Sequence, residues 1–109
     1  MTAIVTGSGK NIGRAIALAL AEAGANVVVN GSRDRAALDR VVAEIERLGA
    51  QGLAVLADVG KPADVRRMVK FAEKRFGGVD IAISNAAVRR KKAFLDISVE
   101  DWKDTLNTN

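Results

Sequence analysis

The sequence has no histidine, no tyrosine and no cysteine. Proton transfer near neutral pH is thereby left to a tuned Lys, Asp or Glu. Without cysteine there is no disulfide framework and no thiolate nucleophile, and zinc sites of the usual Cys/His kind are excluded. Aromatic residues make up 4% of the chain, too few for a ladder of rings on which nucleic-acid bases stack. No apolar run approaches the ~20 residues that cross a bilayer. The start "MTAIVTG" carries neither a basic n-region nor a long apolar h-region, so no secretory signal is expected and the cytoplasm is the default location. A formal net charge of +4 is mild and does not by itself call for a polyanionic partner.

What is present reads as one soluble globular domain. The chain has 109 residues, 49% of them hydrophobic and 28% charged, enough for a modest core. Residues 2–6, "TAIVT", look like a short buried strand, and "TGSGKNIG" follows it. Ile12, Ala15, Ile16, Ala19, Leu20 and Ala23 recur at helical steps and predict one apolar helix face, ended by Gly24. "NVVVN", 26–30, is a β-branched second strand bounded by Gly31. Leu38, Val41, Val42, Ile45 and Leu48 give a second helical face, stopped by Gly49. "GLAVLADV", 52–59, is a third strand. The single proline, Pro62, suits the first turn of a helix whose stripe is Val65, Met68, Val69, Ala72 and Phe76. "VDIAIS", 79–84, is a fourth strand. A basic loop follows, and then Ser98 and Asp101, spaced as a capping box, open a last helix.

This order predicts an α/β fold, a Rossmann-type doubly wound parallel sheet of four strands in the order 3-2-1-4. Residues 1–109 form a single dinucleotide-binding domain on this reading. The fourth strand then lies apolar at an edge, which native folds normally cover. The expectation is that the chain is part of a longer protein, truncated before a catalytic half. The alternative is a small complete domain whose edge a second copy covers.

The loop after the first strand carries Gly7, Gly9 and Gly13. At the carboxyl end of a parallel sheet, such a loop meets the N-terminus of a helix, with its unsatisfied N–H groups and positive dipole end. Gly7 and Gly9 would let backbone approach an anion, and Gly13 would let helix and strand pack closely, the mechanics of a pyrophosphate cradle. The spacing is G-x-G-x-x-x-G rather than the G-x-G-x-x-G of the common dinucleotide fingerprint. It is no Walker A loop, because Ile4 stands where that motif needs glycine and Asn11 where it needs Ser or Thr. Taken alone, the loop reads equally well as a plain glycine turn.

Further positions separate the two readings. The chain resembles the short-chain dehydrogenase/reductase family, in particular its 3-oxoacyl-acyl-carrier-protein reductase-like members, over essentially its whole length. The family's loop T-G-x-x-x-G-x-G is matched by Thr6, Gly7, Ser8, Gly9, Lys10, Asn11, Ile12 and Gly13. Asn11 replaces the middle glycine, and Asn tolerates a left-handed backbone better than most residues. The resemblance implies that Asp58 and Val59 lie beside the adenine ring. It also places Asn85, Ala86 and Ala87 of "SNAA" at the family's N-N-A-G, near ribose and nicotinamide. Asn109, eight positions along from Trp102 counting the Trp, matches the helix Asn that supports a proton-relay water. Each position has a plainer reading: Asp58 as a turn acid, Asn85 as a loop-capping amide, Trp102 as packing.

NAD sites usually place an acid at the end of the second strand; here Gly31 holds that place, with Ser32 and Arg33 after it and Lys10 in the loop. A missing acid and two cations suit a 2′-phosphate, so NADP(H) is the expected cofactor, with NAD(H) the alternative. Arg33 and Lys10 could also be solvated surface residues. The implied reaction is hydride transfer between the nicotinamide and a small-molecule carbonyl or alcohol carbon. The family's acid/base Tyr, its Lys and its Ser lie downstream, so the 109 residues alone are expected to be inactive, and the full-length protein a homodimer or homotetramer. Lys91 and Lys92, in the run "RRKK" with Arg89 and Arg90, are read as surface residues that could meet an acidic partner, not as catalytic stand-ins. Neither nucleic acid nor membrane is an expected partner. The rival reading is a noncatalytic NAD(P)-binding or redox-sensing module on the same fold; S-adenosylmethionine is a third ligand compatible with such a sheet.

Overall fold

The apolar runs "AIV" and "VVV" have no polar alternation, which suits strands buried on both faces. The computed structural model describes residues 1–85 and shows that arrangement. β1 (Thr2–Val5), α1 (Asn11–Glu22), β2 (Asn26–Gly31), α2 (Arg35–Arg47), β3 (Gly52–Leu56), α3 (Pro62–Phe76) and β4 (Ile81–Ile83) follow one another in the expected order. The four strands form one parallel sheet in the order β3-β2-β1-β4. The register pairs Ile4 with Val28 and with Ala82, and Val28 with Leu53.

Successive side chains point to opposite faces, so the core is in two halves. Val5, Val27 and Val29 meet Ala17 and Ala21 of α1 and Leu38, Val41 and Ile45 of α2. Ile4, Val28 and Val55 meet Met68, Val69 and Ala72 of α3. Helices therefore cover both faces, as the alternating element order requires.

The buried face of α1 is not the expected one. Gly13, Ala17 and Ala21 are buried, whereas Ile12, Ala15, Ala19 and Ala23 are exposed. Ile16 and Leu20 are half-buried at the edge of the core. The stretch "IGRAIALALAEA" is apolar nearly all round, so periodicity does not choose a face; the smallest side chains turn inward, where the helix lies closest to the sheet. The stripes of α2 and α3 fall as expected, except that Leu48 is exposed past the end of α2. Gly24, Gly49 and Gly77 each end a helix with a positive φ.

The carboxyl ends of the strands are tied by a polar seam. Asn30, at 1% exposure, accepts from Gly7 N–H through Oδ1 at 3.4 Å and donates from Nδ2 to the carbonyls of Val55 and Ala57 at 3.2 Å each. Its own N–H donates to Ser8 Oγ at 2.8 Å, and Ser8 Oγ donates to Val5 O at 2.7 Å. On the other side, Thr6 N–H donates to Ile83 O and Asn85 N–H to Thr6 Oγ1, at 3.0 and 2.8 Å. Between α1 and α2, the Arg14 guanidinium forks onto the Glu44 carboxylate, with Nε to Oε1 at 3.0 Å.

Two outcomes test this account. Asn30→Ala strips partners from buried carbonyls and an N–H, and should cost roughly 2–4 kcal/mol by chemical denaturation. A cost within about 0.5 kcal/mol, typical of surface sites, would show that the seam is not structural. The Arg14 contact holds the Glu44 carboxyl below its ordinary pKa, mainly through the hydrogen bond. The stability from a depressed carboxyl is present above its unfolded pKa and lost as pH falls through the folded one. The thermal midpoint of Glu44→Gln should therefore lie slightly below the parent's at neutral pH and converge with it below the carboxylate range; a gap that persists in acid would exclude the ion pair as its cause.

Candidate functional site

The loop Thr6–Lys10 leaves β1 and reaches the front of α1. Two residues there have left-handed backbone, Gly7 at φ 60° and Asn11 at φ 56°. Asn11 is the only non-glycine of positive φ among the described residues, and it holds the conformation expected of it. Gly13 is obligatory for a reason of space. A Cβ there would overlap the Gly7 carbonyl and stand 2.6 Å from Asn85 Nδ2. So Gly13 brings the helix against the loop backbone and the β4 end, rather than against the strand alone.

Gly9 behaves differently. Its missing Cβ would point at Ala37 and Leu38 of α2, both at an ordinary 3.5 Å. Its smallness is directed at α2, not at an approaching anion. Ser8 is sealed beneath the loop at 0% exposure, with hydroxyl and N–H both committed to the β1 and β2 ends. It holds the loop from below and offers no group outward.

The front of α1 is open. Its N-cap, Lys10, makes no side-chain cap and no acid occupies the first turn. The amides of a helix's first turn precede any intrahelical partner, so they can donate to an anion. Lys10 is exposed, and Ile12 is 70% exposed at the loop's rim. By contrast, Asp34 caps α2 by accepting from Ala37 N–H at 3.0 Å.

Beside the loop lies an open cleft of about 420 Å³, lined by Ser32, Arg33, Leu56, Ala57, Asp58, Lys61 and Asp64. Its walls are the turns after β2 and β3. Asp58 Oδ1 accepts from Gly60 N–H at 2.9 Å, and Asp58 N–H donates to Asp64 Oδ2 at 2.8 Å. Asp58 thus builds the turn as well as lining the cleft. Val59, half-buried, follows it. Asn85 Nδ2 donates to Gly7 O at 3.2 Å, which joins the β4 end to the glycine loop.

Of the residues singled out from the sequence, Gly7, Ser8, Gly9, Lys10, Asn11, Ile12, Gly13 and Asn85 gather at the loop. Ser32, Arg33 and Asp58 gather at the cleft. Ala86, Ala87, Asn109, the "RRKK" run, the Ser98–Asp101 box and Trp102 lie outside the described residues. Sequence reasoning missed Asn30 and Lys61. The signal for Asn30 was a polar residue ending a β-branched run; that for Lys61 was a lysine where helices favour Ser, Thr, Asp or Asn. No helix among the described residues is long and apolar enough to cross a membrane.

Known proteins give this geometry a context. The chain is 40% identical over 110 residues to a 3-oxoacyl-[acyl-carrier-protein] reductase of Staphylococcus epidermidis, covering 99% of this chain and 44% of that protein. It is 38% identical over 107 residues to a tetrahydroxynaphthalene reductase of Pestalotiopsis fici, covering 98% of this chain and 39% of the relative. The chain thus spans less than half the length of these curated relatives. Among solved structures, a hydroxysteroid dehydrogenase from Escherichia coli superposes with a TM-score of 0.72 at 39% identity, over 77% of this chain and 35% of that one. A 7α-hydroxysteroid dehydrogenase complexed with NADH and 7-oxo glycochenodeoxycholic acid gives 0.71 at 40% identity, over 74% and 31% of the two chains. The family profile described as short chain dehydrogenase matches residues 1–109, and the chain belongs to that family of oxidoreductases.

Proposed function

We propose that this chain is the cofactor-binding portion of an oxidoreductase that transfers a hydride between NADP(H) and the carbonyl or alcohol carbon of a small molecule. The observation that carries the reading is the joint placement of an uncapped helix front, a loop pressed against it at Gly13, and a cleft beside it with Arg33 in its wall. When bound, the dinucleotide would supply the hydride-carrying nicotinamide carbon.

The loop residues fit a pyrophosphate. Backbone at Gly7, Gly9, Asn11, Ile12 and Gly13 would face it at the positive end of α1. Ser8 and Asn85 would act from behind, fixing the loop through Val5, Asn30 and Gly7. The cleft would take the adenosine, with Asp58 and Val59 beside the ring. Lys10, Ser32 and Arg33 would meet the 2′-phosphate, Arg33 as a fork of donors and Lys10 as a point charge. Ala86 and Ala87 would lie near ribose and nicotinamide, and Asn109 would support a proton-relay water. On this reading the acid/base group belongs to sequence beyond the 109 residues, the complete protein is a cytoplasmic dimer or tetramer, and an acyl thioester ketone, a sugar or a steroid is an eligible substrate.

The reading favours NADPH over NADH, because Gly31 ends β2 where NAD sites place an acid, and Asp34, three residues on, accepts from Ala37 N–H as the cap of α2. One neighbour carries NADH, so the preference rests on this chain's own residues. Fluorescence titration should show NADPH bound roughly tenfold or more tightly than NADH, and Arg33→Ala should narrow the gap. Equal affinities would remove the NADP assignment; binding of neither would remove the whole reading. Carbonyl reduction by the full-length protein separates an enzyme from a binding module.

The loop supplies a second test. Gly13→Ala should weaken NADPH roughly tenfold or more, because the added methyl must displace the Gly7 carbonyl. Gly9→Ala, whose methyl meets α2 at ordinary distance, should leave the thermal midpoint near the parent's. Retained affinity in Gly13→Ala would show that loop geometry is not what binds.

A further inference from the structure

The cleft has two walls, and the cofactor reading uses cations from one of them. Arg33 stands on the β2–α2 side, and Lys61 stands on the β3–α3 side of the same cleft. Both are exposed, and among the described residues neither is joined to a carboxylate by an ion pair. The acids of the cleft are committed to the backbone: Asp58 to Gly60 N–H, and Asp64 to Asp58 N–H. The cleft therefore offers a cation from each side, while each of its two carboxylates has an oxygen held by a backbone N–H and Asp64 also lies near Arg67.

The backbone of Lys61 is firmly held. Its N–H donates to Asp58 O at 2.9 Å, and its carbonyl accepts from Asp64 N–H and Val65 N–H at 3.0 and 3.1 Å. Pro62 follows, which restricts Lys61 to the extended conformation it shows, φ −110° and ψ 114°. A fixed backbone under a free side chain suits a residue that reaches for a ligand. Lysine does nothing for the helix here: it gives no cap, and its charge opposes the macrodipole.

We propose that Lys61 is a specificity-determining residue for a phosphate on the adenosine ribose, acting across the cleft from Arg33. This rests on the reading that the cleft takes the adenosine end of NADP(H). Arg33 and Lys61 then clamp the 2′-phosphate from two sides, and a cofactor lacking that phosphate gives neither cation an anionic partner.

The test uses 2′,5′-ADP and 5′-AMP as probes in isothermal titration calorimetry, with Arg33→Ala as a control. The parent protein should bind 2′,5′-ADP more tightly than 5′-AMP. Lys61→Ala should lose roughly three- to tenfold affinity for 2′,5′-ADP with 5′-AMP unchanged, and Lys61→Arg should restore most of it. Equal weakening of both probes would make Lys61 a structural residue and overturn the inference. So would unchanged discrimination in Lys61→Ala while Arg33→Ala loses it; the NADP reading would then stand without Lys61. A parent that does not discriminate between the probes would overturn the NADP reading itself, and the role of Lys61 with it.

Discussion

Asn30 holds three strand ends with one side chain. In a parallel sheet each strand leaves the ladder at its carboxyl end, where its last N–H and C=O groups lose their regular partners. Here those ends are buried, so the orphaned groups need side chains. Asn30 takes Gly7 N–H on one side and the Val55 and Ala57 carbonyls on the other. Only an amide does both, since it accepts at one atom and donates twice at the other. Ser8 completes the join to β1, and Thr6 with Asn85 repeats it on the β4 side. Among the described residues no buried side-chain polar atom lacks a partner. The glycine loop and the turn at Asp58 therefore hang from one seam: moving either would break bonds that solvent cannot replace.

The second constraint is contact distance at Gly13. A helix front can serve an anion only if the loop before it leaves the amides uncovered. Here the loop passes so close to α1 that no Cβ fits between them. Small residues continue that approach along the helix at Ala17 and Ala21, whose burial against Val5, Val27 and Val29 sets the axis of α1 over the sheet. The fork of Arg14 on Glu44 fixes the neighbouring helix beside it. Packing, not propensity, therefore aims the front of α1.

Much of this was legible in the sequence, and the failures share a cause. Order, strand pairing and helix stops follow from apolar runs and glycines, which are local signals. Asn11 could be read as left-handed because only a tolerant residue can replace a glycine there. The buried face of α1 could not be read, because "IALALA" offers apolar residues in every direction. Nor could the tasks of Ser8 and Asn30, whose partners lie on other elements and depend on the sheet already being assembled. Nor could the direction of Gly9's open side, which faces α2 and likewise depends on the assembled sheet.

Charge at the helix ends carries the argument one step further. Arg47 lies in the last turn of α2, and Lys74 and Arg75 in that of α3, where the negative end of the dipole favours cations. Lys10, Arg33 and Lys61 do the opposite, standing at or just before the fronts of α1, α2 and α3. α1 and α3 would be better served there by a small polar cap, worth about 1 kcal/mol at such a position, whereas α2 already has one in Asp34. All three stand on the rim where the parallel strands end, as every helix front among the described residues does. Helix stability does not account for that distribution. The anionic ligand proposed above would, because it offsets at once the dipole fronts and the cations set against them.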